Sequence, residues 1–238
     1  MKAITGNVSY SVPSEELKKK GILVEERLLL LTVNHDVKNY DEFSKKEKKS
    51  EYQHYAEKAI YTNPQRDNIV LMVLNLLFKL KIKTMCIFSS KKHGSQLEKL
   101  TGYKFICGDN PIEERLYWKK WFLNGRGKIL LVSNIFKKGI TLPQVQILFN
   151  IDGGKEDSLI IQRKGRVLGA YKGKKKALII DFIDLFDKYF SEHSLNRIKV
   201  YEKEVGIDNI DVINTEESDF YEQIKEYFNS WHEEEKSS

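Results

Sequence analysis

The chain has 238 residues, 41% of them hydrophobic, and a formal net charge of +6. That is enough apolar material for one large domain, or a domain with an appendage, and it excludes a disordered chain. Two cysteines, Cys86 and Cys107, stand far apart in apolar stretches, so neither a disulfide framework nor a metal-ligand spacing is present, and no run of about 20 apolar residues offers a membrane span.

In chain order, a short helix is predicted near Ser14 to Lys20, closed by Gly21. "RLLLLTV" reads as a strand. Two helical patterns follow, over about 40–60 and 65–80. In the second, Ile69, Met72, Val73, Leu76 and Leu77 recur at three- and four-residue steps, the spacing of an amphipathic helix. The chain then alternates. "TMCIFS", "YKFIC", "KILLVS", "VQILFNI" and "KALIIDF" are short apolar strands. Between and after them, "HGSQLEKL", "IEERLYWKKWFL", "DSLIIQRKGR" and "LFDKYFSEHSLNRIKVYEKEVG" are helical. Continuous apolar strands alternating with helices predict an α/β fold with a parallel sheet covered on both faces. Ligands of such sheets bind at the carboxyl ends of the strands. The last helix is expected in "SDFYEQIKEYFNSW".

Charge is unevenly placed. From Tyr201 onward twelve acidic residues face three lysines, a balance of −9, which leaves +15 on the rest of the chain. A body this basic suits a polyanionic partner, although a solubilising surface with an acidic tail has the same composition. Met1 to Tyr10 lacks the apolar segment of a leader, so an intracellular protein is expected, in the host cytoplasm if phage-encoded.

Several chemistries are missing from the sequence. There is no G-x-x-x-x-G-K-[ST] phosphate loop, no Asp-Glu-x-His or Asp-Glu-x-Asp box for magnesium, no H-E-x-x-H, no C-x-x-C and no G-x-S-x-G. What the sequence does hold is a series of loops after strands. Ser133 ends "KILLVS", and Gly139, Thr141 and Pro143 follow before the next strand. A hydroxyl and free backbone N–H groups at such a turn suit a phosphate, and the same segment also suits an ordinary crossover. Arg163 and Arg166 lie one helical turn apart and can face the same way. Their planar forks match phosphate oxygens and can stabilise charge in phosphoryl transfer. The basic run Lys172 to Lys176 reads as a solvated or phosphate-facing turn before a core strand.

Taken in order, "TMCIFSSKKHGSQL", "GDNPIEERLYWKKWFLNGRGKILLVS", "VSNIFKKGITLPQVQILFN" and "QRKGRVLG" resemble the second RecA-like domain of superfamily 2 helicases. Within that superfamily the likeness is to the phage-type and XPB-like DNA helicases of recombination and repair. The first segment looks like motif IV, the third like motif V and the last like motif VI, written Q-x-x-G-R-x-x-R. The resemblance implies a RecA-like fold with a C-terminal helical extension. It implies a lead-in over 1–37 from a first RecA-like domain, the helicase C-terminal domain over 38–200 and an acidic helical tail over 201–238. Gln162, Arg163, Arg166 and Gly139 would serve the nucleotide, with Arg166 as an arginine finger and Arg163 beside it. Ser90, Lys91 and His93, with Ser133 and Asn134, would lie along the nucleic acid. ATP and Mg2+ are implied for the complete two-domain motor, and neither is expected to bind this chain tightly alone. The implied partners are nucleic acid, DNA in preference, and a first RecA-like domain in cis or in trans; no membrane is implied. The isolated chain is expected to be inactive as an ATPase.

Three departures from the family pattern stand out. No first domain with a phosphate loop and acidic box is present in the sequence. Gly169 occupies the place of the final arginine of motif VI, and Thr141 replaces an acidic residue of motif V. These departures favour an alternative, a stand-alone nucleic-acid-binding or regulatory remnant of a helicase.

Overall fold

A computed structural model describes residues 14–34, 55–133, 142–152 and 168–237. The helices expected over 40–54 and 157–166 lie outside these residues. Among the described residues, seven strands form one sheet: β1 (Glu25–Val33), β2 (Thr84–Phe88), β3 (Phe105–Ile106), β4 (Ile129–Ser133), β5 (Ile147–Asn150), β6 (Lys176–Asp184) and β7 (Ile210–Asn214). Their order is β3-β4-β2-β5-β6-β1-β7, and all the pairings are parallel. The helices are α1 (Ser14–Lys19), α2 (Pro64–Lys79), α3 (Lys91–Thr101), α4 (Ile112–Leu123), α5 (Lys188–Val205) and α6 (Phe220–Ser237), with a π-helical turn at Glu57–Tyr61.

Every residue of β2, β4 and β5 is buried, as uninterrupted apolar runs require of strands covered on both faces. The two-residue period of the strands divides the core into layers. Leu29, Leu31 and Val33 of β1 and Leu178, Ile180 and Phe182 of β6 point to one side, where α2, α3 and α6 cover them. Leu28, Leu30, Ile179 and Ile183 point to the other, against Tyr201 and Val205 of α5. On that same side Phe122 of α4 packs with Met85, Ile87, Leu130 and Val132. Close packing leaves room for only a glycine at position 94 of α3, where a Cβ would sit 2.2 Å from the Phe105 ring.

Local signals start the helices. Asn63 Oδ1 accepts from the N–H groups of Gln65 (2.9 Å) and Arg66 (3.3 Å), and Pro64 opens α2. Ser90 Oγ accepts from His93 N–H at 3.2 Å and caps α3. Asp187 caps α5 through the N–H groups of Tyr189 (2.7 Å) and Phe190 (3.4 Å).

The C-terminal region corrects the reading of an acidic tail set apart from the domain. Residues 210–214 form β7, which pairs with β1, so a strand follows "KALIIDF". In α6, Phe220, Ile224, Phe228 and Trp231 are buried in the main core, while Glu222, Glu226 and Glu233 face solvent. The acidic segment is therefore amphipathic, and burying each of those large side chains contributes about 1.5–3 kcal/mol. Its charge also has a local target: Glu235 accepts from the N–H groups of Lys175 (3.3 Å) and Lys176 (3.0 Å), and Glu234 pairs with the Lys176 ammonium.

Candidate functional site

From β2 the chain moves outward to β3 and β4, then returns across β2 to β5 and β6. This reversal sets the topological switch at β2, and a crevice opens beyond the carboxyl ends of such strands. Phe88 lies in register with Ser133 of β4, and Ile87 with Asn150 of β5. The loop Ser89–Lys92, the end of β4 and the end of β5 therefore leave the sheet side by side.

Asp152, just past β5, holds these ends together. One carboxylate oxygen accepts the N–H groups of Ser89 and of Ser90, the latter at 2.8 Å. The other lies 2.6 Å from His93 Nδ1, and His93 Nε2 lies 2.9 Å from Asp67 of α2. Gln96 Nε2 donates to the second Asp67 oxygen at 2.6 Å. The His93 side chain is fully buried. A neutral imidazole donates through one nitrogen alone, whereas two carboxylates here each need a donor. Burial by itself would lower the His93 pKa, but Asp152 and Asp67 outweigh it and raise it to about 9. His93 is thus an imidazolium at neutral pH.

A second buried set adjoins the first. Arg66, next to Asp67 on α2, donates twice to the Ile151 carbonyl (3.2 and 2.9 Å), pairs with Asp184 at the end of β6 and lies 4.0 Å from the centre of the Phe182 ring. Arg197 of α5 donates to the Phe182 carbonyl at 2.6 Å and lies 3.3 Å from Asp181, which accepts from Tyr201 Oη at 2.7 Å. Buried charge survives only when paired and hydrogen-bonded, and here the pairing spans α2, α3, α5 and the carboxyl ends of β2, β5 and β6. The turn that follows β2 and the end of β5 are fixed to one another through Asp152.

The predicted residues fall out as follows. Ser90 is the cap of α3 and is partly exposed. Lys91 is exposed at the same corner, and its ammonium lies 2.6 Å from Asp109, which lifts its pKa through that hydrogen bond. Ser133 is 6% exposed at the end of β4. His93 corrects its reading: enclosed by Asp152 and Asp67, it cannot reach a nucleic-acid phosphate and acts by positioning the loop. Asn134, Gly139, Gln162, Arg163 and Arg166 lie outside the described residues. Gly169 forms an antiparallel bridge with Leu23 ahead of β1, and its flanks are tied by Val24 N–H to Leu168 O (2.9 Å) and Ala170 N–H to Ile22 O (3.0 Å). Position 169 contributes backbone pairing there. The sequence reading missed Arg66, Asp67, Asp152, Asp181, Asp184 and Arg197. Their available signal was charge inside apolar runs, as in "IIDFID".

Among the described residues, no three His, Cys, Asp or Glu side chains gather as a metal site, and no helix is long and apolar enough to cross a membrane.

The chain was compared with known proteins. Residues 68–169 match the family model "Helicase conserved C-terminal domain". A curated protein named "Putative helicase 22", from Sulfolobus islandicus filamentous virus (isolate Iceland/Hveragerdi), is 25% identical over 100 residues, which are 42% of this chain and 18% of that protein. Among solved structures, Saccharomyces cerevisiae Dbp5 bound to RNA and ADP BeF3 aligns with a TM-score of 0.59 at 19% identity, over 96% of this chain and 50% of that one. T4 UvsW aligns with a TM-score of 0.57 at 19% identity, over 79% of this chain and 42% of that one. The chain thus spans half or less of the length of each of these proteins. Over residues 68–169 the chain is similar to the helicase conserved C-terminal domain, and its parallel sheet has the α/β RecA-like fold of these solved structures.

Proposed function

We propose that this chain is the C-terminal motor half of an ATP-dependent superfamily 2 nucleic-acid helicase or translocase, inactive without a phosphate-loop domain. The observation that carries the reading is the Asp152 junction. One carboxylate links the loop Ser89–Lys92, which resembles motif IV, to the strand end that precedes "QRKGRVLG", which resembles motif VI. A motor needs its strand-gripping loop and its nucleotide-sensing segment to move as one body, and a buried ionic junction supplies that rigidity.

In this reading Ser90 and Lys91 meet strand phosphates, with Ser133 and Asn134 beside them. Gln162, Arg163 and Arg166, with Gly139, close on the nucleotide. ATP with Mg2+ would bind between this chain and a first domain and close the two; transfer of its terminal phosphoryl group to water, with ADP leaving, would let them reopen. Arg166 stabilises charge on the transferring phosphate, a role typically worth about 10³–10⁵ in rate. DNA is the strand we favour, supported by the likeness of the motifs to phage-type and XPB-like DNA helicases; Dbp5, bound to RNA, supports the other choice.

The test is ATPase activity of the chain alone and after addition of a first RecA-like domain, with single-stranded DNA or RNA of one sequence. The expected result is no hydrolysis alone and strand-stimulated hydrolysis in the pair, greater with DNA. Absence of stimulation, in both the natural chain and Gly169→Arg, would favour the stand-alone binding module.

A further inference from the structure

Lys81, Lys83, Lys128, Lys172 and Lys174 line one groove of about 530 Å³, at the edge of the sheet opposite the Asp152 junction. It is framed by the segments that enter β2, β4, β5 and β6. Three of those segments turn through left-handed residues, Lys81 (φ 57°), Gly125 (φ 77°) and Gly173 (φ 80°). Among the described residues, no Asp or Glu lines it. Two of the lysines are held in place. Lys83 Nζ donates to Leu123 O (3.2 Å) and Gln144 Oε1 (3.1 Å), and Lys174 Nζ donates to Pro143 O at 3.1 Å. Gln144 Nε2 in turn donates to Tyr171 Oη (3.1 Å), so the wall is hydrogen-bonded throughout.

Five ammonium groups around one space repel each other, and folding gains nothing from that arrangement. Burial, then the charge of Lys128, lowers the Lys83 pKa. Burial lowers that of Lys174 to about 8, against a smaller opposing pull from Glu235. A volume of this size is in the range of small-ligand sites. Lysine is a flexible point charge that suits phosphate without demanding a planar partner. Tyr171 is the single aromatic residue of the lining, so successive bases have no stacking platform. The chemistry recognised is phosphate, not base.

We propose that this amino-edge groove is a binding site for the phosphate groups of a polyanion, separate from the strand and nucleotide face at the carboxyl edge. The phosphates come either from a nucleic-acid backbone or from a compact polyphosphate. Calorimetric titration of the whole chain with inorganic tripolyphosphate at low salt tests the site. Lys128→Glu with Lys172→Glu should weaken binding about tenfold or more. Lys99→Glu with Lys199→Glu, exposed on α3 and α5 and equal in net charge change, should stay within about twofold. The neutral pair Lys128→Gln with Lys172→Gln should fall between them, and it serves if charge reversal disturbs folding. Binding near pH 8 should take up protons, because an anion among Lys83, Lys128, Lys172 and Lys174 adds to the pull of Glu235 against burial and recharges Lys174. Titration in buffers of different ionisation enthalpy reads that uptake.

No binding by the natural chain, or equal weakening by both reversed pairs, overturns the proposal. A single-stranded oligonucleotide that displaces tripolyphosphate assigns the phosphates to a strand backbone; failure to displace assigns them to a compact polyphosphate, and both results support the site. None of these measurements uses ATP hydrolysis, so the site and the motor reading fail separately.

Discussion

At the carboxyl edge of the sheet, Arg66, His93 and Arg197 are buried, and each has carboxylates against it. At the amino edge, Lys81, Lys83, Lys128, Lys172 and Lys174 share a groove that no acid lines among the described residues. The first arrangement spends its charge internally. Its cations hold backbone and helices in fixed register and have nothing left for a ligand. The second gathers ammonium groups side by side, and burial lowers the pKa of two of them, with the charge of Lys128 adding to the effect on Lys83. Cations paired with carboxylates in the core therefore mark structure that a site is built on, and cations gathered around an open groove mark surface suited to an anion.

Substitutions should separate the two edges most sharply in stability. Arg66→Ala strands Asp184 and releases the Ile151 carbonyl, so about 3–5 kcal/mol should be lost in urea denaturation. A loss below about 1 kcal/mol would mean that the carboxyl-edge pairing is not what holds these elements.

Next in size is the response to pH. The folded pKa of His93 is raised to about 9 from its ordinary 6.5. The proton is bound more tightly in the folded state, so this contribution is complete below pH 6.5 and disappears as pH rises through 9. Stability should fall by about 3 kcal/mol across that window, by the linkage of proton binding to folding. His93→Gln should flatten the profile over the same range, and a profile that stays steep would assign the effect to other groups.

Smaller effects concern binding and the amino edge. Lys91→Ala, at an exposed ion pair with Asp109, should leave the melting temperature unchanged. If Lys91 meets a strand phosphate, the salt slope of strand affinity should fall by about one. Lys128→Gln should move stability by no more than about 0.5 kcal/mol while raising the Lys83 pKa toward its ordinary value. Measured by NMR titration, an unmoved Lys83 would show that the lysines of the groove do not sense one another.

The fate of the acidic segment bears on the same contrast. Glu234 and Glu235 cover Lys176 and the backbone of Lys175 and Lys176 at the rim of the amino edge. Deleting the segment would remove β7 and the core face of α6, so its electrostatic effect is better read from Glu234→Gln alone.

Most of the sheet was legible in the sequence because β2, β4, β5 and β6 are apolar runs, buried on both faces. The strand β7 was not. It has five residues, lies at an edge, and interleaves Asp211 and Asn214 with its apolar positions. Ser90 and Lys91 were read as a surface because they follow an apolar strand, and both are at least partly exposed. His93, three residues on, was read as part of the same surface, since a sequence does not show which side of a helix start will be enclosed.

By itself the sequence determined the apolar strands other than β7, the periodic helices, the order of the helicase-like motifs and the excess of basic charge. These depend on local period and on composition. Tertiary structure decided which charges are used up. Asp67, His93 and Asp152 come from distant parts of the chain and meet only because β2 and β5 are neighbours in the sheet. The five lysines of the groove meet because the segments entering four parallel strands converge on one edge. Pairing is a property of distance, and distance between remote residues is set only when the sheet closes.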